Sequence, residues 1–164
     1  MLNYSFKQVT DDDVLDVLTI YISNDAYFEA MSESAPSEDI IEHDRDTIPD
    51  GVDDDAKYYE IVYHEQQPIA ILDFLVGYPN AQTIYIGLLM IDASLHGQQH
   101  GERILADFCA RWRHAPITTL RLGVAAQHER ASAFWQRLGF EAVDEKEAVV
   151  GGVTHSFIIM ERAL

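Results

Sequence analysis

The stretch with the clearest chemical potential runs from Ile91 to Ile104 and reads IDASLHGQQHGERI. It carries two glycines (Gly97 and Gly101), two histidines (His96 and His100) and two glutamines (Gln98 and Gln99) ahead of Glu102. A branched apolar run, Ile84 to Ile91, precedes it, and an apolar helical pattern follows from Glu102 onward. Strand, glycine-containing loop and helix is how a chain presents bare backbone N–H groups at a helix N-terminus, where they bind an anion. The same glycines also suit a plain strand-to-helix turn. The loop lacks GxGxxG, and no Lys-Ser/Thr follows its second glycine, so dinucleotide and nucleoside-triphosphate sites fit poorly. Two histidines without a clear third ligand do not make a metal site, and none is expected. His96 and His100 are either surface loop residues or, when protonated, added charge for a bound phosphate.

The elements that must hold this loop follow from periodicity. Asn3 to Val9 reads as a first strand, and Thr10 with Asp11, Asp12 and Asp13 as a helix start. Val14, Leu15, Leu18, Tyr21 and Ile22 continue that helix to about Asp25. Ser37, Glu38 and Asp39 cap a further short helix through Ile41. Residues 47–55, with Pro49, Gly51 and an Asp triplet, form a loop. Period two then sets in: Tyr59, Ile61 and Tyr63 on one strand, Pro68 to Gly77 on the next, and Thr83 to Ile91 on a third. Glu102 to His114 predicts a helix, Thr118 to Val124 a strand, and Ala131 to Leu138 a helix closed by Gly139. Phe140 to Val143 and Thr154 to Met160 predict two last strands around Gly151 and Gly152. The succession describes a mixed α/β sandwich.

Composition sets the bounds. A chain of 164 residues with 48% apolar and 24% charged residues is an ordinary single globular domain. No segment has the length of apolar sequence that a membrane span needs. The opening MLNYSFKQVT has neither the basic start nor the apolar core of a signal peptide, and Cys109 is the one cysteine, so a cytoplasmic location is expected. The net charge of −17 is uneven: residues 1–60 hold 17 acids and 3 bases, a net of −14, and the remainder a net of −3. Such a balance argues against nucleic acid or an anionic membrane as partner. It suits either a solvated acidic surface or a region that attracts a cationic ligand.

A second motif settles what the first resembles. Gln127 to Phe140 reads QHERASAFWQRLGF. With Ile91-Asp92-Ala93 and His96-Gly97-Gln98-Gln99-His100-Gly101, it is similar to the paired signatures of the GNAT superfamily of acyl-CoA-dependent N-acetyltransferases. The first family signature is Arg/Gln-x-x-Gly-x-Gly/Ala; the second is Asn-x-x-Ala, an aromatic pair and Gly-Phe. Here the second reads His128-Glu129-Arg130-Ala131, Phe134-Trp135 and Leu138-Gly139-Phe140. Tyr78-Pro79 ahead of Ile86-Gly87-Leu88-Leu89 resembles one subgroup. His96, Gln99 and His128 depart from the pattern, and a Cβ at Gln99 is expected to crowd an approaching phosphate.

The resemblance implies a central mixed sheet of about six to seven strands with helices on both faces. It implies one domain, with 1–56 as an acidic, helical acceptor-side portion, 57–143 as the acetyl-CoA-binding core and 144–164 as C-terminal strands. The pyrophosphate of acetyl-CoA would lie on the N–H groups from Gly97 to Glu102, with His96, Gln98, Gln99, His100 and Gly101 around it. The pantetheine arm would pair near Met90 and Ile91, and His128, Ala131, Phe134 and Trp135 would flank the thioester.

The implied activity is transfer of the acetyl group to a primary amine of a small, cationic acceptor. An acyl-CoA-binding sensor or scaffold without turnover is the alternative, and an acidic protein-interaction domain a third class. Transfer needs a deprotonated amine, a polarised carbonyl and a proton for the leaving thiolate. Many family members have a Tyr where Trp135 stands, and an indole N–H is no proton source near neutral pH. Asp73 and Tyr85 are the remaining polar candidates for catalysis. Each has a plainer reading, Asp73 as a hydrogen-bonded strand residue and Tyr85 as core with its hydroxyl at the rim. A homodimer is compatible with the sequence but not readable from it.

Overall fold

The computed structural model describes residues 4–164. Its frame is a seven-stranded sheet in the order β1-β2-β3-β4-β5-β7-β6. The strands are β1 (Tyr4–Gln8), β2 (Lys57–His64), β3 (Gln67–Val76), β4 (Thr83–Ile91), β5 (Thr119–Ala125), β6 (Glu141–Val150) and β7 (Val153–Ala163). The helices are α1 (Val14–Ser23), α2 (Asp25–Ala30), α3 (Glu38–Asp46), α4 (His100–Trp112) and α5 (Glu129–Arg137). Only β4 and β5 are parallel among the neighbouring strand pairs. The expected mixed sheet with helices on both faces is what the chain forms. Asn3, expected as the start of the first strand, lies outside the described residues.

Alternation along the strands sorts the core into two layers. On one face Tyr59, Ile61, Ile71 and Met90 pack under Val17, Ile20 and Tyr21 of α1, Phe28 of α2 and Ile41 of α3. On the other, Leu72, Phe74, Ile86, Leu120 and Leu122 pack under Ile104, Leu105 and Phe108 of α4 and Trp135 of α5. The acidic first third of the chain thus covers one face, and the two motif-bearing helices cover the other.

Three departures from the periodicity have local causes. The first helix breaks at Asn24, whose side-chain amide donates to the carbonyls of Ile20 (3.0 Å) and Ile91 (2.9 Å). Asp13 sits in a short 3-10 turn before α1, where its carboxylate accepts from Lys7, the Thr10 N–H and the Thr10 hydroxyl. β6 extends to Val150, well past the expected Val143, because it pairs with β7 along that length; Glu141 to Val149 are all exposed and carry no period-two apolar signal.

Two features of β4 position the site. Asp73 of β3 faces Leu88 while Phe74 faces Ile86, so Gly87 is an extra, bulged residue in β4. Pairing of β4 with β5 stops at Ile86 and Leu122, so Gly87–Ile91 and Gly123–Ala125 no longer bond to each other. The two parallel strands therefore part near the middle of the sheet and leave two facing backbone edges.

Candidate active site

The parted strands open towards the N-terminus of α4. Among the described residues no protein acceptor faces the N–H groups from Gly97 to Glu102. They lie at the positive end of a 13-residue helix, where an anion is favoured. Gly97 has φ +79° and open space around it, so the backbone is bare there. Gln99 adopts the left-handed conformation at φ 66°. That conformation is the one glycine adopts freely, and it explains in backbone terms why the family signature has glycine at this point.

Gly101 does a different job. A Cβ there would stand 2.8 Å from Phe134 Cζ and 3.0 Å from Ile91 Cδ1. The missing side chain therefore lets α5 dock against the start of α4 and the end of β4, which joins the two sequence motifs in space.

The histidines divide. His96 is exposed, and its Nε2 lies 2.9 Å from the Ile91 carbonyl. His100 turns inward: it is 8% exposed and its Nδ1 lies 2.8 Å from the Tyr4 hydroxyl. Burial and the neighbouring His64 hold its pKa below the usual histidine value. Its ring is therefore a neutral packing group and not the added phosphate charge that the sequence allowed. Gln98 folds back on the Ser94 carbonyl at 3.3 Å, and Glu102 is exposed in the first turn.

Across the gap, His128 precedes α5 and its ring packs 5.7 Å from that of Tyr27. Burial and His155 hold His128 below its ordinary pKa. His155 is itself buried, with an Nε2 that has no partner among the described residues. Ala131 and Phe134 are partly buried against the core. Trp135 is 8% exposed and edge-on to Phe140, so it is chiefly a core residue and less a flank of the reacting group than its motif position suggested.

Strand geometry refines the expected contacts of the arm. The Asp92 N–H donates to the Ile69 carbonyl, so by alternation Met90 also bonds towards β3. Leu89 and Ile91 turn their backbone groups into the gap. The Ile91 carbonyl is taken by Asn24 and His96, which leaves the Ile91 N–H and both polar groups of Leu89. Leu89 was not singled out in the sequence because only the register to β3 tells which residues point outward.

On the α1 side of the sheet a cleft of about 100 Å³ opens beside the bulge, lined by Tyr27, Phe28, Glu33, Asp44, Asp73, Gly87, Leu88 and Met90. Asp73 bonds to Lys57 Nζ at 2.6 Å through Oδ1, and its Oδ2 lies 3.4 Å from where a Gly87 Cβ would stand. Burial pushes the Asp73 carboxyl up to about 6, against the pull of Lys57. Asp44 is raised as well, by burial, although it accepts a 2.7 Å hydrogen bond from Tyr21. The Tyr21 hydroxyl also meets that of Tyr59, the residue paired with Asp73 across β2 and β3. Burial raises Glu33, with Asp44 adding to the shift, and lifts Tyr27 to about 12.

Tyr85 shares the sheet face of Asp73 but reaches the other way. Its hydroxyl lies over Gly123, 3.2 Å from a Cβ placed there, and it does not line the cleft. The structure thus brings Asp73 to the bulge and turns the hydroxyl of Tyr85, on β4, over β5. Glu33, Asp44 and Tyr27 line the cleft with Asp73, and Tyr21 and Lys57 bond to its carboxylates; the sequence placed the acids between Glu33 and Asp55 near an acceptor mouth, but singled out none of these residues. Their signal was only the acidic bias of the first 60 residues. Among the described residues no group of three or more metal-binding side chains occurs, and no helix is long and apolar enough to cross a membrane.

Residues 51–162 match the family model of the acetyltransferase (GNAT) domain. The chain is similar to an acetyltransferase from Thermus thermophilus, at 24% identity over 99% of this chain and 98% of that one, with a TM-score of 0.81. It is similar to an acetyl transferase from Salmonella typhimurium that modifies the N-terminal serine of a 50S ribosomal subunit protein, at 14% identity, 100% and 96% coverage and a TM-score of 0.77. A spermidine/spermine N-acetyltransferase from Vibrio cholerae aligns at 11% identity, 98% and 94% coverage and a TM-score of 0.67. No curated protein matches the sequence.

Proposed function

The chain belongs to the GNAT acetyltransferase family, and from that premise we propose that it acetylates a primary amine of a small, cationic acceptor. The observation that carries the reading is the parting of β4 and β5 beside the open N–H groups of α4, with Asp73 of β3 facing the Gly87 bulge of β4.

The residues present fit acetyl-CoA. Gly97 to Glu102 offer N–H groups to a pyrophosphate, and Leu89 with Ile91 offers strand-like groups to an amide-bearing arm. When bound, acetyl-CoA supplies the acetyl group as an activated thioester. The chain supplies position and proton transfer. The Gly87 bulge lies where β4 leaves β5, the place at which a backbone donor would stabilise charge developing on a carbonyl oxygen. Asp73, through the Oδ2 that faces Gly87, takes the proton from the ammonium that enters the cleft. Its pKa near 6 keeps most of it ionised at neutral pH while bringing it closer to working pH than an ordinary carboxyl. Phe28, Leu88 and Met90 supply apolar lining that limits water around the amine. Tyr85 has no contact in this scheme, and Trp135 no proton to give.

Glu33, Asp44 and Asp73 around one cleft, in the half of the chain with a net charge of −14, support a cationic acceptor. The fold neighbours named above act on a polyamine and on a protein N-terminus. The small size of the cleft and its carboxylates favour the small amine. A cytoplasmic location belongs to the same reading.

Titration calorimetry with acetyl-CoA tests its first half. Saturable binding that Gly97→Val weakens supports the assignment; no binding at millimolar acetyl-CoA overturns it.

A further inference from the structure

Asn24 interrupts the run from α1 into α2, and its side chain reaches out of that helical pair. Its amide gives one N–H to the Ile20 carbonyl at 3.0 Å and one to the Ile91 carbonyl at 2.9 Å. The first bond closes the end of α1; the second crosses to the last residue of β4. Ser23 makes a parallel crossing, its hydroxyl oxygen accepting from the Ala93 N–H at 3.0 Å. From the other segment, His96 Nε2 meets the Ile91 carbonyl at 2.9 Å. A carbonyl only accepts, so that nitrogen carries the proton. One carbonyl oxygen is thus held by two side-chain donors.

That oxygen stands where it would otherwise be left over. Leu89 and Ile91 turn their backbone groups into the gap between β4 and β5. An arm lying there as a strand would place one amide between the Leu89 carbonyl and the Ile91 N–H, in the pattern of a ladder. The Ile91 carbonyl lies one step further on and gains nothing from that amide. Gly87 is exposed and Leu89 and Ile91 are half-buried, so solvent reaches the gap in the free protein. An arm that fills the gap shuts solvent out. A carbonyl without a protein donor would then be buried unpaired.

We propose that Asn24 and His96 are positioning residues for the acyl-CoA arm: by closing the Ile91 carbonyl in advance, they remove a desolvation cost that the arm would otherwise meet on binding. This rests on the acetyl-CoA assignment above. Neither side chain needs to touch the ligand, since both act through the Ile91 carbonyl. One hydrogen bond is enough to satisfy that oxygen, so either donor covers for the other.

Titration calorimetry compares wild type, Asn24→Ala, His96→Ala and the double variant. Each is titrated with acetyl-CoA and with adenosine 3′-phosphate 5′-diphosphate, which keeps the pyrophosphate and lacks the arm. Each single change is expected to raise the acetyl-CoA Kd no more than about twofold, and both together about tenfold or more, the scale of one buried carbonyl left unpaired. The excess over the product of the single effects is the signature of one shared oxygen. The arm-less nucleotide is expected to show no such loss. A double-variant effect at or below the product of the single ones, or an equal loss for the arm-less nucleotide, overturns the proposal. If the double variant does not fold, Asn24→Ser with His96→Ala decides by the same comparison, since a serine hydroxyl still bonds the carbonyl four residues back. Failure of wild type to bind acetyl-CoA contradicts the cofactor assignment instead, so the two failures are distinguishable.

Discussion

Asp73 Oδ2 faces Gly87, the one residue that β4 inserts out of register with β3. A carboxylate with a raised pKa and a bulged backbone thus meet at the point where the sheet opens. The Lys57 ammonium, 2.6 Å away on the other carboxylate oxygen, keeps Asp73 oriented and ionisable despite its burial.

Replacing Asp73 by Asn preserves size and removes the base. The expected loss in kcat/KM for the acceptor is about 10²- to 10⁴-fold, the usual worth of a positioned general base. The wild-type profile should fall as pH drops through about 6, as the carboxylate takes up its proton, and this limb should vanish in Asp73→Asn. Thiol release measured from pH 5 to 8 checks both. A limb near 6 that survives in the variant assigns the titration elsewhere.

Gln99 holds a left-handed backbone that costs a non-glycine residue about 1 kcal/mol. Gln99→Gly is therefore expected to raise the melting temperature by about 2–4 °C. It should also tighten acetyl-CoA binding, since the lost Cβ clears the loop. Unchanged affinity, read by calorimetry, would show that the loop has adapted to glutamine.

Gly101→Ala drives a methyl into Phe134 and Ile91. Overpacking of this kind costs about 1–3 kcal/mol. It should push α5 away from α4 and weaken acetyl-CoA binding together with stability. Trimming the partner as well, in Gly101→Ala with Phe134→Leu, should recover part of both in denaturation and binding measurements. Full additivity of the two changes would contradict a direct contact.

How much of this was legible in sequence differs by residue. Gly97, Gly101 and the helix after them announced a glycine loop running into a helix N-terminus because loop-to-helix geometry is local. The strand from Thr83 to Ile91 was legible for the same reason. The bulge at Gly87 was not, since it exists only in the register between β3 and β4. Asp44 was one acid among many until Tyr21, on another helix, gave it a hydrogen bond. His100 resembled a loop histidine because Tyr4, its partner, is 96 residues away. Ten residues of β6 escaped in part because a strand exposed on both faces has no apolar alternation to read.

The acidic cleft makes a prediction about salt. Attraction between its carboxylates and a cationic acceptor weakens as ionic strength rises and the Debye length shrinks. The KM for 1,5-diaminopentane should therefore climb several-fold between about 0.01 and 0.15 M salt, while that for a neutral-tailed amine climbs less. Equal slopes for both would remove the distal carboxylates from recognition.

Acetyl transfer itself is tested most directly by incubating the protein with acetyl-CoA and 1,5-diaminopentane and following free thiol and amine mass together. The account predicts one acetylated amine for each thiol released, with the rate cut at least about 100-fold in Asp73→Asn. Tight acetyl-CoA binding with no thiol release across primary amines would contradict it and leave an acyl-CoA sensor in its place.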